Sequence, residues 1–148
     1  MENLYIGLAE GKDIPQWLEL IKAVEDYFPG LDYAEYEAIL RDSIIKRCAL
    51  VAKFNDTIAG VLIFSKEDKQ IGFLAVHPDY RKLGIARKLV EFMYQQFPKN
   101  TEIFVVTYRE GDKLGEAARF FYKSIGFYEG ELIMEFGYPC QRFNYQIK

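Results

Sequence analysis

Histidine, cysteine and tryptophan are scarce, with one, two and one residues in a chain of 148. A single imidazole, His77, cannot complete a zinc site, and Cys48 and Cys140 have no ligand spacing, so no metal centre is expected. The N-terminus lacks the basic and apolar regions of a secretory leader. Both thiols are therefore expected to stay reduced, with the cytoplasm as the default compartment. No apolar run approaches the roughly eighteen residues that span a bilayer, so no membrane partner is expected. A surplus of positive charge is missing as well: 19 Lys and Arg face 22 Asp and Glu, a net charge of −3. That balance counts against a nucleic-acid binder, even with Arg41, Lys46 and Arg47 close together in sequence. Repeats, low-complexity tracts and linkers are absent, so residues 1–148 are expected to form one domain.

Apolar and aromatic residues are plentiful. Half the chain is hydrophobic, with 12 Phe and 11 Tyr, enough for a buried core and against disorder. Leu4 to Ala9 reads as a first strand. Asp13 reads as the N-cap of a helix to about Tyr27, with Pro15 in its first turn and Phe28-Pro29-Gly30 as its stop. Trp17, Leu20, Ile21 and Val24 form its apolar face. A second helix, from about Tyr33 to Lys46, carries Tyr36, Ile39, Leu40 and Ile44 at helical spacing. Ala49 to Phe54 and Ile58 to Phe64 flank Asn55-Asp56-Thr57 as a hairpin, and Gln70 to Val76 follows the charged turn Ser65 to Lys69. A third helix begins near Gly84, presents Ile85, Leu89, Phe92 and Met93, and ends near Phe97-Pro98. Glu102 to Thr107 reads as a buried strand, Tyr108 to Leu114 as a polar loop, and Gly115 to Ile125 as a helix stopped by Gly126. Tyr128 to Phe136 and Phe143 to Ile147 are the last strands. The order β-α-α-β-β-β-α-β-α-β-β is an α+β pattern.

The chemistry concentrates between Gln70 and Val90. A strand there feeds the basic loop Arg81-Lys82-Leu83-Gly84-Ile85-Ala86, which opens a helix. The first turn of a helix leaves N–H groups unpaired, and its dipole adds partial positive charge. Small residues at Gly84 and Ala86 let a phosphate approach that backbone, so the loop reads as a pyrophosphate cradle. Neither Gly-Lys-Ser/Thr nor Gly-x-Gly-x-x-Gly is present to suggest another nucleotide site. Arg81, Gly84 and Ala86 match Arg/Gln-x-x-Gly-x-Gly/Ala, the acetyl-coenzyme A signature of the GNAT N-acetyltransferases, which this chain resembles over essentially its whole length. The resemblance implies a mostly antiparallel twisted sheet of about seven strands flanked by about four helices. It also implies acetyl-CoA as cosubstrate, held by the backbones of Leu74, Ala75 and Val76 and by Arg81, Lys82, Leu83, Gly84, Ile85, Ala86 and Arg87.

A second motif, Ala118-x-x-x-Tyr122-x-x-x-Gly126-Phe127, resembles the family segment whose Tyr protonates the departing thiolate. Tyr122 is accordingly the expected catalytic residue. Gly115 departs from the pattern, because many relatives carry there an Asn that contacts the pantetheine arm. The amine must be neutral to attack, although a free alkylammonium has a pKa of about 10. The thiolate leaves with a pKa of about 8 to 9, within reach of a positioned phenol of about 10. A backbone N–H on the strand before the loop could receive the charge that develops on the carbonyl oxygen. Glu25, Asp26 and Glu135 are candidate bases. Gln70 stands where histone-type relatives have a basic Glu, His77 reads as a loop residue, and Cys140 as a loop residue near the substrate mouth. The leading reading is transfer of acetyl from acetyl-CoA to a primary amine of a small molecule, peptide or protein. The alternative is an acyl-CoA-binding sensor without turnover. Between Glu25 and Glu37 stand five carboxylates (Glu25, Asp26, Asp32, Glu35, Glu37) and no Lys or Arg, which suggests a cationic acceptor. The resemblance also allows a homodimer.

Overall fold

The computed structural model describes residues 3–148. Its strands are β1 (Leu4–Leu8), β2 (Ala49–Phe54), β3 (Thr57–Ser65), β4 (Gln70–Val76), β5 (Glu102–Tyr108), β6 (Tyr128–Glu135) and β7 (Tyr138–Gln146). The helices are α1 (Ile14–Val24), α2 (Tyr33–Ile45), α3 (Ile85–Tyr94) and α4 (Glu116–Ser124). All strands join one sheet in the order β1-β2-β3-β4-β5-β7-β6, antiparallel throughout except for β4 beside β5.

Two apolar clusters cover the two faces. On one face Trp17, Leu20, Ile21 and Val24 of α1 and Tyr36 and Leu40 of α2 bury Val51, Ile58, Val61, Ile63 and Ala75. On the other, Ile85, Leu89, Val90 and Met93 of α3 and Tyr122 of α4 bury Leu50, Leu62, Ile71, Ile103, Val105 and Phe143. Gly60 of β3 makes the second contact close: a Cβ there would lie 2.8 Å from Ile85 Cγ2 and 3.2 Å from Leu89 Cδ1.

Several local expectations are corrected. Asp13 caps nothing with its side chain at the start of α1. Its carboxylate instead accepts from Glu10 N (2.8 Å) and from Lys53 Nζ (2.6 Å), tying the turn before α1 to β2. The first helix ends at Val24, and Glu25–Tyr27 tighten into a 3-10 turn. On α2 the buried row is Tyr36, Leu40 and Ser43. Ile39 is 50% exposed, because the helix packs on a narrower stripe than its apolar residues would fill. Tyr108 extends β5, and β7 begins at Tyr138 rather than Phe143.

Trp17 is fully buried and donates from Nε1 to the Tyr36 hydroxyl at 2.8 Å, joining α1 to α2. Tyr36→Phe keeps the ring and strands the indole N–H. It should lower the unfolding free energy by about 1–3 kcal/mol, read by urea denaturation with Trp17 fluorescence as the probe.

Candidate active site

The parallel pair β4–β5 consists of two matched positions, Gln70 with Phe104 and Ile71 with Val105. One residue later β4 bulges. Ile71 faces Phe64 and Phe73 faces Ile63, which leaves Gly72 as an extra residue. A bulge bends its strand away from the regular path. From Gly72 onward β4 keeps β3 on one side and loses β5 on the other, so its backbone polar groups on that side face a cleft. Leu74, Ala75 and Val76 lie on this free edge. Their side chains are core, Leu74 and Val76 toward α3 and Ala75 against α1. Backbone and side chain thus serve separate ends, as expected.

The basic loop follows at the open end of the cleft. His77 accepts from Asp79 N through Nδ1 (3.1 Å), and Pro78–Tyr80 make a 3-10 turn. Lys82 and Gly84 both adopt left-handed backbone, at φ 65 and φ 76. Gly84 is the N-cap of α3, and a Cβ built on it meets nothing within 4 Å. The helix thus starts at a glycine with open space beside its Cα. Ile85 anchors the turn in the core and Ala86 is half-buried, whereas Lys82 and Leu83 are exposed. Arg87 pairs with Glu91 at 3.4 Å. The Arg81 guanidinium carbon lies 5.3 Å from the centre of the Tyr27 ring, a cation–π contact that joins the loop to the segment between α1 and α2.

Tyr122 enters from α4. Its residue is 4% exposed, and its ring packs on Phe121 and Phe127 at centroid distances of 5.2 Å each. Its hydroxyl makes no hydrogen bond to another described residue. Burial pushes the phenol well above its ordinary value, so the group keeps its proton in the free protein and cannot serve as a base.

On the α1/α2 side of the cleft, Phe73 carries Phe28 at 4.6 Å and Tyr36 edge-on at 5.1 Å. The β5 side presents Tyr108, edge-on to Tyr138 at 5.3 Å, and the Tyr138 hydroxyl donates to Asp112 Oδ2 at 2.7 Å. Cys140 is not a loop residue. It sits within β7 opposite Tyr108, 6% exposed, and burial raises its thiol, which makes it a poor nucleophile. Gln70 lies below the point where the strands part. Three of the five carboxylates between Glu25 and Glu37 are already engaged: Glu25 accepts from Tyr33, Asp32 caps α2, and Glu37 pairs with Arg41 at 2.7 Å. Among the described residues no group of His, Cys, Asp and Glu could hold a metal, and no helix is long and apolar enough to cross a membrane.

Gly115 has a physical reason. A Cβ there would stand 2.7 Å from the Tyr108 Cβ, so the β5 tyrosine fills the space that a side chain on α4 would need. The sequence held no signal for this, since Tyr108 read as a loop residue. Arg119 was passed over in the same way; it is 6% exposed and donates to the Tyr108 carbonyl oxygen at 3.0 Å.

The family model described as acetyltransferase (GNAT) domain matches residues 46–129, more than half of the chain, and the chain belongs to that family of acetyltransferases. A GNAT family acetyltransferase from Bacillus cereus is 18% identical, with 99% of each chain covered and a TM-score of 0.76. The ribosomal-protein-S18-alanine N-acetyltransferase from Escherichia coli is 16% identical, covering 98% of this chain and 94% of its own, at 0.74. Arabidopsis thaliana Naa50, in complex with the bisubstrate analogue CoA-Ac-MVNAL, is 21% identical, with 96% and 97% covered, at 0.70. At these identities the likeness establishes the fold. A sequence search of curated proteins finds no match.

Burial raises the phenols of Tyr36, Tyr94 and Tyr122 alike. In the unfolded chain they ionise near their usual value of about 10. Their contribution to stability is therefore complete below about pH 10 and is lost as pH rises beyond it. The urea midpoint should hold steady to about pH 9.5 and then fall. The ultraviolet difference between wild type and Tyr122→Phe should show no phenolate near pH 10.5 in the fold and one in denaturant. A phenolate step near 10 in the folded protein would contradict the burial of Tyr122.

Proposed function

We propose that the chain transfers an acetyl group from acetyl-CoA to a primary amine, by direct attack within a ternary complex. The observation that carries this is the parting of β4 from β5 at Gly72, with the left-handed Gly84 at the open end. A free strand edge suits the amides of a pantetheine arm, which can pair with the backbones of Leu74, Ala75 and Val76. The open space before Gly84 suits a pyrophosphate, held by N–H groups from Leu83 to Arg87 with Arg81, Lys82 and Arg87 as counter-charges. Acetyl-CoA supplies the activated thioester. Tyr122 supplies the proton that the departing thiolate needs, and the cleft holds both reactants, so the encounter becomes local.

The amine comes to the α1/α2 side. There α1 and α2 cover β2–β4, and no residue of β5, β6 or β7 belongs to their apolar cluster. On this reading, the strands outside that cluster floor an open trough between the α1–α2 segment and the β6–β7 hairpin. Small-molecule sites are enclosed on most sides, so an open trough favours an amine at the end of an extended peptide. The charge of the acceptor is secondary, because only Asp26 and Glu35 of the acidic segment stand without a described partner. Glu25 and Glu135 flank the trough and are the nearest candidates to accept the amine's proton through water.

Acetyl-CoA should raise the melting temperature, by about 2.7 kcal/mol of stabilisation at a hundredfold excess over Kd. Gly84→Glu should abolish that shift while the protein stays folded; normal CoA binding by this variant would refute the cradle. Tyr122→Phe should leave CoA affinity within a few fold and lower turnover by roughly 10- to 1000-fold. Mass detection on a panel of small amines and short peptides, with thiol release measured in parallel, should find peptide amines acetylated in preference. A preference for small amines would overturn the acceptor class alone.

A further inference from the structure

Arg119 lies on the sheet side of α4, three residues before Tyr122 and hence on the same face of the helix. A guanidinium that is 6% exposed is costly unless its protons are satisfied. Here one nitrogen, Nη1, donates to the Tyr108 carbonyl oxygen at 3.0 Å and to Gln141 Oε1 at 2.8 Å. The other, Nη2, pairs with Glu129. Gln141 Nε2 passes the network on to the Gly130 carbonyl oxygen at 3.0 Å, and the guanidinium carbon lies 4.8 Å over the Phe143 ring. One side chain thus ties α4 to β5, β7 and β6 together.

We propose that Arg119 is a positioning residue for Tyr122, fixing how deep and at what rotation α4 holds the phenol in the cleft. The proposal rests on the reading of Tyr122 as proton donor. Tyr122 itself is held by the rings of Phe121 and Phe127, and such contacts are not directional. α4 has nine residues, and its N-cap, Gly115, offers no side-chain hydrogen bond. Besides Arg119, the helix has among the described residues only the solvent-exposed Lys123–Glu129 pair at 3.4 Å to set its rotation. The planar fork of Arg119 sets it, because its bonds reach fixed acceptors on the half of the sheet that carries β5. The bond to the Tyr108 carbonyl joins α4 to the strand end that walls the cleft.

The test is a double-mutant cycle with melting temperature and steady-state kinetics read on every variant. Arg119→Lys keeps the charge beside Glu129 and loses the fork. It should lower kcat by about 10- to 100-fold, the scale of an ångström-sized misplacement, with KM for acetyl-CoA within about threefold. In the Tyr122→Phe background the same change should cost nothing further, because no phenol is left to misplace. A merely structural role predicts equal losses in both backgrounds and would overturn the proposal, as would an unchanged kcat in a folded Arg119→Lys. Should that variant not fold, Gln141→Leu removes an acceptor of the fork on β7 without touching α4 and must show the same loss, confined to the Tyr122 background. Full turnover in Tyr122→Phe alone would overturn the proton-donor reading and this role with it. A loss there, combined with no loss or an additive one from Arg119→Lys, would overturn the positioning role only.

Discussion

The structure depends on a hydrogen-bond ladder that stops. Two parallel strands that begin to pair at Gln70–Phe104 would ordinarily continue for their full length, since each is seven residues long. The pairing ends at Ile71 because Gly72 adds a residue on the β3 side of β4. A bulge strengthens local twist and turns the strand, and glycine, with no side chain to bury, fits this exposed position. The cost is a run of unpaired backbone groups on β4, which must find water or another partner. A ligand with amides of its own can supply that partner. The binding cleft is thus an interruption of the sheet rather than an addition to it.

An interrupted sheet would come apart if nothing bridged the break. The bridge is the cluster beneath α3 and α4, which holds residues from both sides: Leu62, Ile71, Leu89 and Met93 from one, Ile103, Val105, Phe127 and Phe143 from the other. The opposite cluster contributes nothing across the break. The two faces are therefore unequal, one bridged by a shared apolar core and one without it. Tyr122 belongs to the bridging core, and in the proposed reaction it also serves the site. Its burial is what holds its proton in place, so packing and chemistry are served by the same ring.

Features that a local pattern can encode were legible in the sequence. The β2–β3 hairpin, the α3 stripe, the Gly84 N-cap and the order of elements each follow from residues a few positions apart, and each is found close to where expected. Features that depend on long-range pairing were not. Cys140 read as a loop residue because Gly137, Tyr138 and Pro139 look like a turn, yet the turn is Phe136-Gly137 and Tyr138 already pairs with Glu135. Asp13 has the sequence position of a helix cap, but Lys53, forty residues away, claims its carboxylate. Arg119 could not be told from a solvated surface arginine, because its partners lie on three strands that follow or precede it by ten residues or more. Gly115 reads in the sequence only as a departure from the family's Asn, because the Tyr108 side chain that fills the space beside it belongs to a strand seven residues earlier.

Backbone strain supplies an independent reading of the loop. Non-glycine residues at positive φ cost about a kcal/mol or more, and they persist where the surroundings demand them. Among the described residues they are Arg47, Asn55, Lys69, Lys82, Asn100 and Phe136. Arg47 follows the end of α2; Asn55, Lys69 and Phe136 lie in turns between paired strands; Asn100 ends the turn that feeds β5. Each of those is explained by chain reversal. Lys82 is not, since the loop from Arg81 to Gly84 runs from a 3-10 turn into α3 and pairs with no strand. Left-handed residues at 82 and 84 thus stand in the loop that opens directly onto the N-terminus of α3. An arrangement of that kind, placed at a helix N-terminus and flanked by Arg81 and Arg87, has its physical use in holding an anion. The strain at Lys82 and the open space at Gly84 are properties of the folded loop and do not depend on the sequence motif.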